Sequence, residues 1–558
     1  MTEPGAIRLE VADLDFTYPG RERPALKGVS LSLRAGEFTV IAGRNGAGKS
    51  TLALALNGTI PHLLRGKSAG TVLVNGRLVA VPREMASEVG VVFQDYETHL
   101  VSSTAALEVA FPMENLAVPP GEMAHRVAET LALVGLEGFD ERSPAEISGG
   151  EKQRLAIAAA IVTRPSLLVL DEPLTDLDPA GKSGVLAVIG KLRRMGMTIV
   201  VIEHDPQALL EADRLVVLVE GSVGYDGPPA GLLGEPGRCR DLGVPVWAPA
   251  EVARGLGLPS GPLGVAEVAA AVRAAGFRPV PPPPATAPSV GEPLIEARDL
   301  TSGYPGAPDV LFGVSLTIRA GECVALLGQN GSGKTTFAKH AVGLVRPRKG
   351  GLLVKGRPVR EYGLAGLSRI AGYVFQNPDH QIFSETVLEE VAFGLRNLGL
   401  PPGETADRVR ESLEVVDLAG REAEDPFSLT KGERQRLAVA SLLAYRPEAI
   451  FLDEPTTGLD ATEAERMMAF IKGLNRGGLM VVLITHAMWA AAEYAERTVV
   501  MSHGRVVLDG PTREVFARED VLAPLTLAPP PAAALANRLG FPAVSASEVL
   551  AALKGGPP

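Results

Sequence analysis

Cysteine is nearly absent from this 558-residue chain, which holds only Cys239 and Cys323. Two thiols build no disulfide framework, Cys-rich zinc site or iron–sulfur cluster, and their scarcity fits a reducing compartment. A basic excess is missing as well. The formal net charge is −11 and the isoelectric point is near 5.4. Dedicated nucleic-acid binders carry a positive footprint, so no nucleic-acid partner is expected. Long apolar runs are also lacking. Stretches such as 155–162 have the length of a core helix, far short of the roughly 18 residues that span a bilayer. Action at a membrane would therefore need a partner that supplies the spanning segment. Met1 to Gly5 shows no basic region leading into an apolar one, so no secretory signal is expected. The rest is ordinary: 46% apolar and 21% charged residues exclude an acidic disordered protein or a fibrous repeat. At roughly 100–200 residues per domain, the length suggests about three to five structural units.

What is present is a long internal repeat. Gly43-Arg-Asn-Gly-Ala-Gly-Lys-Ser-Thr51 returns as Gly328-Gln-Asn-Gly-Ser-Gly-Lys-Thr-Thr336, with Lys49 and Lys334 offset by 285 residues. Gln94 and Gln376, Glu172 and Glu454, and His204 and His486 are each offset by 282. A period this long is a duplicated domain and not a solenoid unit. The repeat extends further, since 253–259 resembles 536–542 and a helix-like stretch follows each, at 265–275 and 547–553. Between the halves, 278–293 contains seven prolines in 16 residues. Such a segment prefers extended polyproline II and reads as a semi-rigid spacer reaching roughly 50 Å. Phe38–Ala42 and Cys323–Leu327 read as apolar strands entering glycine-rich loops, with helices at Lys49–Leu56 and 334–340. Strands at 167–170 and 448–452 end in acidic pairs, and Thr198–Ile202 and Met480–Ile484 end just before a histidine. Buried strands alternating with helices predict an α/β core of parallel strands.

The pattern G-x-x-x-x-G-K-[ST] is that of a phosphate-binding loop. Its glycines, Gly43, Gly46 and Gly48 in one copy and Gly328, Gly331 and Gly333 in the other, let backbone N–H groups converge on phosphate oxygens. Lys49 and Lys334 would meet the β- and γ-phosphates, and Ser50 and Thr335 would place hydroxyls on Mg²⁺. Asp171-Glu172 and Asp453-Glu454 stand at strand ends. The aspartate can hold Mg²⁺ through water and the glutamate can act as general base on the attacking water. Alone, an acidic pair is as often a turn or a helix cap; its repetition at fixed distance behind a phosphate loop favours the chemical reading.

Between loop and acidic pair lie Ile147-Ser-Gly-Gly-Glu-Lys-Gln-Arg154 and Leu429-Thr-Lys-Gly-Glu-Arg-Gln-Arg436, which resemble the signature motif of ATP-binding cassette (ABC) ATPases. The spacings agree between the halves. Glutamine to signature is 54 residues, signature to aspartate 23, and glutamate to histidine 32. In this resemblance Gln94 and Gln376 match the Q-loop, 175–178 and 457–460 the D-loop, and His204 and His486 the switch histidine. Tyr18 and Tyr304 match the aromatic that stacks on adenine, although a Tyr-Pro-Gly turn is the other reading of both.

The resemblance covers nearly the whole chain apart from the spacer. It implies an α/β fold of two P-loop, ABC-type nucleotide-binding domains, at 1–227 and 294–510. Each would carry a helical signature subdomain and a short C-terminal helical extension, at 228–277 and 511–558, with the linker at 278–293. It also implies ATP and Mg²⁺ as cofactors and two head-to-tail composite sites. The first would gather Tyr18, Gly43, Asn45, Gly46, Gly48, Lys49, Ser50, Thr51, Gln94, Asp171, Glu172 and His204 with Thr430 and Gly432. The second would gather Tyr304, Gly328, Asn330, Gly331, Gly333, Lys334, Thr335, Thr336, Gln376, Asp453, Glu454 and His486 with Ser148, Gly149 and Gly150. Glu172, His204, Gln94, Glu454, His486 and Gln376 would be catalytic; Ser50, Gln94, Asp171, Thr335, Gln376 and Asp453 would serve the metal.

One departure stands out. Lys431 replaces Gly149, and Thr430 replaces Ser148. The lysine is either a solvent-facing residue at a helix N-terminus or a cation close to the expected γ-phosphate that slows one site.

Within the family, Phe375-Gln-Asn-Pro-Asp-His-Gln-Ile-Phe383 and Glu385-Thr-Val-Leu-Glu-Glu-Val-Ala-Phe-Gly394 look like the ATPase of energy-coupling-factor (ECF) importers of vitamins and metal ions. That resemblance implies a peripheral protein at the cytoplasmic face of the cell membrane. Its partners would be integral membrane transport subunits on the Q-loop surface and a separate substrate-binding membrane protein. The rivals are a tandem sugar-importer ATPase and a soluble tandem ABC protein acting on ribosomes. The first typically has a degenerate second cassette, and the second a long charged helical linker. Chromosome and DNA-repair ATPases separate loop and signature by a long coiled coil, which the 99 residues from Lys49 to Ser148 exclude.

Overall fold

The computed structural model describes residues 6–259, 264–280 and 291–554. The proline run at the centre of the spacer lies outside the described residues. The described residues fall into two compact units, 6–251 with 259 and 460–462, and 252–258 with 264–280, 291–459 and 463–554.

In the first unit a six-stranded sheet runs in the order Ser222–Gly227, Arg214–Val219, Phe38–Ala42, Thr198–Ile202, Leu167–Asp171, Val89–Val92. All pairings are parallel except that of the first two strands. Phe38–Ala42, Leu167–Asp171 and Thr198–Ile202 are buried along their whole length. This is why they read as continuous apolar runs without alternation. The second unit repeats the order with Arg505–Pro511, Arg497–Ser502, Cys323–Leu327, Met480–Ile484, Ala449–Asp453 and Ala371–Val374.

Each unit adds an element that the sequence reading did not separate, a four-stranded antiparallel sheet. One consists of Leu26–Arg34, Ile7–Thr17, Lys67–Val74 and Arg77–Leu78; the other of Asp309–Arg319, Pro293–Gly303, Lys349–Val354 and Arg357–Pro358. In the first, one face is apolar. Leu9, Val11, Leu31, Leu33 and Val72 pack over Ile41, Leu52 and Leu56.

Three helices form the second layer of each unit: Ala105–Asn115, Pro120–Leu133 and Gly149–Ile161, and likewise Val387–Asn397, Pro402–Val415 and Lys431–Leu443. Val109, Met113, Leu131, Leu155 and Ile157 fill the first cluster; Val391, Leu395, Leu413 and Leu437 fill the second. The helix-like stretches expected at 265–275 and 547–553 are Val265–Ala274 and Ala546–Lys554. Both fall in the second unit, where Val265–Ala274 packs on Pro531–Leu539. Among the described residues no helix is long and apolar enough to cross a membrane.

Candidate functional site

Each central strand ends in a glycine-rich loop and then a helix whose N-cap is glycine, Gly48 or Gly333, with no side-chain cap. The first backbone N–H groups of these helices are therefore free of side-chain competition, which is the arrangement that binds anions. Gly43 has φ 136°, and a Cβ there would collide with the Leu218 carbonyl, so only glycine carries the chain through this turn. Gly328 repeats this against the Met501 carbonyl. Asn45 and Gly46, and Asn330 and Gly331, lie at the tips of the two loops.

The lysine ammonium groups fold back into their loops. Lys49 Nζ donates to the Gly43 and Arg44 carbonyls at 2.8 and 3.0 Å; Lys334 Nζ donates to those of Gly328 and Gln329 at 2.8 and 2.9 Å. Burial lowers the pKa of Lys49, while Glu172 and Asp171 oppose the shift. The Tyr18 and Thr51 hydroxyls are 3.1 Å apart, and Thr336 Oγ1 donates to the Tyr304 hydroxyl at 3.5 Å. Each tyrosine is thus tied to the helix that follows its phosphate loop.

Leu167–Asp171 and Ala449–Asp453 deliver the acidic pairs beside these helices. Burial raises the pKa of both Asp171 and Asp453. Ser50 bonds to Asp171, and Asp171 Oδ1 is a buried oxygen without a partner. Thr335 Oγ1 donates to Asp453 Oδ2 at 2.9 Å, and the Tyr373 hydroxyl donates to the same oxygen. Among the described residues no group of three His, Cys, Asp or Glu could hold a metal. A hydroxyl next to a buried carboxylate with spare lone pairs suits Mg²⁺ completed by phosphate oxygens and water. Those groups fit the expected cation in the first unit through Ser50 and Asp171, and in the second through Thr335 and Asp453.

Glu172 and Glu454 both adopt the left-handed backbone region, with φ 50° and 49°. For a residue with a bulky side chain this conformation costs roughly 1–2 kcal/mol and is held only by its surroundings. The two carboxylates then differ. Glu172 accepts from Gln94 Nε2 at 2.8 Å and from Thr175 Oγ1 at 3.2 Å. Glu454 accepts from His486 Nδ1 at 2.8 Å and from Thr485 Oγ1 at 3.1 Å. Both ring nitrogens of His204 are buried without a partner, and burial depresses its pKa to about 4. Gln376 follows Ala371–Val374 as Gln94 follows Val89–Val92.

Ser148 and Thr430 are the N-caps of Gly149–Ile161 and Lys431–Leu443, each in a capping box with Glu151 or Glu433. A Cβ on Gly150 would collide with Gly181, so glycine there lets two helices touch. Gly432, by contrast, meets only the side chains of Leu459 and Glu463 at 3.5 Å or more.

Comparison with known proteins settles the family. The ABC transporter profile matches residues 26–175 and 311–457. A protein of Caldanaerobacter subterraneus subsp. tengcongensis named as an ABC transporter ATP-binding protein is 42% identical, over 98% of this chain and 98% of its own. The chain belongs to the ABC transporter ATP-binding family. A relative from Methanosarcina acetivorans is 40% identical over 95% of this chain and 90% of its own. One from Vibrio vulnificus is 34% identical over 96% and 95%. The structure of cbiO1 from Clostridium perfringens, described as part of the ABC transporter complex cbiONQ, aligns at 31% identity over 42% of this chain and 95% of that one, with a TM-score of 0.39. Like the family, this tandem ABC protein is an ATPase.

Several neighbours of the site carried no sequence signal. Arg44 reaches the Asp241 carbonyl at 3.4 Å, and Gln329, its equivalent, donates to the Leu525 carbonyl at 2.9 Å. Each phosphate loop thus bonds to the segment that follows its own cassette. Tyr373 and Glu203 were also missed: the first has Val91 and the second has Thr485 at the repeat-equivalent position, so the repeat pointed away from them.

Proposed function

We propose that this ABC protein is the ATP-hydrolysing energy-coupling subunit of a membrane importer of the ECF type, for a vitamin or a metal ion. It would act at the cytoplasmic face of the cell membrane with integral membrane partners. The observation that carries the coupling role is an apolar surface beside each Q-loop. In the second cassette Phe383, Leu388 and Phe393 are 61%, 40% and 47% exposed, and the two phenylalanine rings meet edge to face at 4.7 Å. In the first, Val101, Leu107 and Phe111 are exposed next to a groove of about 660 Å³ lined by Phe93, His99 and Leu116. Exposed apolar patches of this kind mark interaction sites. The ECF assignment rests on the 375–394 motif and on the short helical extensions.

In this reading Lys49 and Lys334 bind the β- and γ-phosphates, and Ser50, Asp171, Thr335 and Asp453 hold Mg²⁺, which supplies charge neutralisation when bound. Glu172 and Glu454 accept a proton from the attacking water. Gln94, Gln376, His204 and His486 orient that water and the γ-phosphate. Gly149, Gly150 and Gly432 with Ser148 and Thr430 present helix N-termini to nucleotide.

The test is affinity purification of the tagged chain from detergent-solubilised membranes of its native host. The reading expects a polytopic membrane protein in stoichiometric amount, with ATP turnover that depends on Mg²⁺. Recovery with ribosomes, or with a sugar-type permease, would replace it with one of the two rivals.

A further inference from the structure

The switch loops of the two cassettes are held by different carboxylates. In the first, the residue before the switch histidine is Glu203, and it is buried. Its Oε1 accepts from the Leu174 backbone N–H at 3.0 Å. Its Oε2 accepts from the backbone N–H groups of His204 and Asp205 at 2.6 and 2.9 Å. One side chain thus ties the switch loop to the loop that follows Asp171-Glu172. The charges facing it are Asp205, Lys182 and Lys49, and Lys182 Nζ bonds to Asp205 at 3.1 Å.

In the second cassette the equivalent residue is Thr485. Its hydroxyl accepts from Ala487 N–H at 2.9 Å and donates to Glu454 Oε2 at 3.1 Å. Glu454 also accepts from the His486 backbone N–H at 3.3 Å and from the His486 ring at 2.8 Å. Here the expected general base itself holds the switch loop.

We infer that Glu203 is a positioning residue that takes over the switch-loop backbone in the first cassette, leaving Glu172 to the Q-loop and His204 without an acceptor. The inference rests on the catalytic reading of Glu172 and Glu454 given above, and it makes the resting cassettes unlike. The base of the first cassette is coupled through Gln94 to the Q-loop, whereas that of the second is coupled to its own histidine. A Q-loop displaced by a docking partner would pull directly on Glu172. It would reach Glu454 only after the His486 bond opens.

The substitution that tests this is Glu203→Thr, which gives the first cassette the second one's residue. The full chain is labelled with ¹⁵N-histidine, and the His204 and His486 resonances are assigned with His204→Gln and His486→Gln. In the wild type the His204 ring stays neutral through pH 5. In Glu203→Thr it gains Glu172 as acceptor, and its titration moves up by at least one pH unit. Thr485→Glu is the reciprocal variant and serves even if Glu203→Thr does not fold. There, His486 Nδ1 loses its hydrogen-bonded shift. A folded variant in which the ring resonances keep their wild-type behaviour overturns the inference. These readouts need no nucleotide. Loss of the predicted shifts therefore counts against the positioning role alone, and absent ATP turnover counts against the proposed function alone.

Discussion

The Lys431 side chain lies across Gly458, where any Cβ would collide with its ammonium group. The first cassette inverts the pair, with Gly149 in place of the lysine and Asp176 in place of the glycine. Both D-loop residues are left-handed, with φ 71° at Gly458 and 63° at Asp176. A Cβ on Gly149 would meet the Tyr96 hydroxyl at 3.1 Å, and the residue equivalent to Tyr96 is Pro378. Each cassette therefore fills this corner once, by a tyrosine with an aspartate or by a lysine. The sequence suggested a solvent-facing lysine or a cation near the γ-phosphate; in the structure the ammonium sits on its own D-loop.

That complementarity is testable through stability. Gly458→Asp alone must push the flexible end of Lys431 aside and should cost about 1 kcal/mol or less. Adding Lys431→Gly removes the clash and should recover most of the loss. Chemical denaturation of the four proteins in this double-mutant cycle measures the coupling, and additive effects would show that the two residues do not share the space.

The exposed apolar surface predicts a separation of functions. Phe383→Asp with Phe393→Asp alters side chains that are already exposed, so stability should change little. ATP turnover of the isolated protein should stay near wild type, while recovery of the membrane partner in affinity purification should fall at least tenfold. Equal recovery would place the partner elsewhere.

Stability against pH should show two opposing contributions from the first cassette. Burial raises the Glu203 carboxyl from 4.5 to about 7. Between those values the folded chain holds a proton that the unfolded chain has released, so this group stabilises less as pH rises. Burial depresses His204 from 6.5 to about 4. Between those values the unfolded chain takes up a proton that the folded chain refuses, so this group stabilises more as pH rises. The two largely offset each other between about pH 5 and 6.5. Glu203→Gln removes the first contribution. Relative to wild type it should lose about 1–3 kcal/mol more on acidification from pH 7 to 5, measured by urea denaturation. A variant with an unchanged pH slope would contradict the raised pKa of the Glu203 carboxyl.

The parts of this site that could be read in advance were those fixed by local backbone chemistry. A phosphate loop needs glycine where Gly43 passes the Leu218 carbonyl, and a helix N-terminus needs a cap such as Ser148, so residue type and spacing reveal both. The continuous apolar strands were legible for the same reason. Side-chain relationships between distant segments were not. Nothing in the order of residues says that Glu203 reaches back to Leu174, that Tyr373 donates to Asp453, or that Lys431 occupies the place of Asp176. The antiparallel sheets escaped because Ile7–Thr17 pairs with Lys67–Val74, about 60 residues away, and its ladders with that strand and with Leu26–Arg34 are both interrupted by register shifts.

If Glu172 and Glu454 carry the chemistry in this tandem ATPase, steady-state ATP hydrolysis is lost in the Glu172→Gln, Glu454→Gln double variant. Glutamine is nearly isosteric but cannot take up the proton of the attacking water. Nucleotide binding should be like that of the wild type, with turnover reduced by about 10²–10⁴-fold. Turnover at the wild-type rate, with Mg²⁺ and ATP saturating, would contradict it.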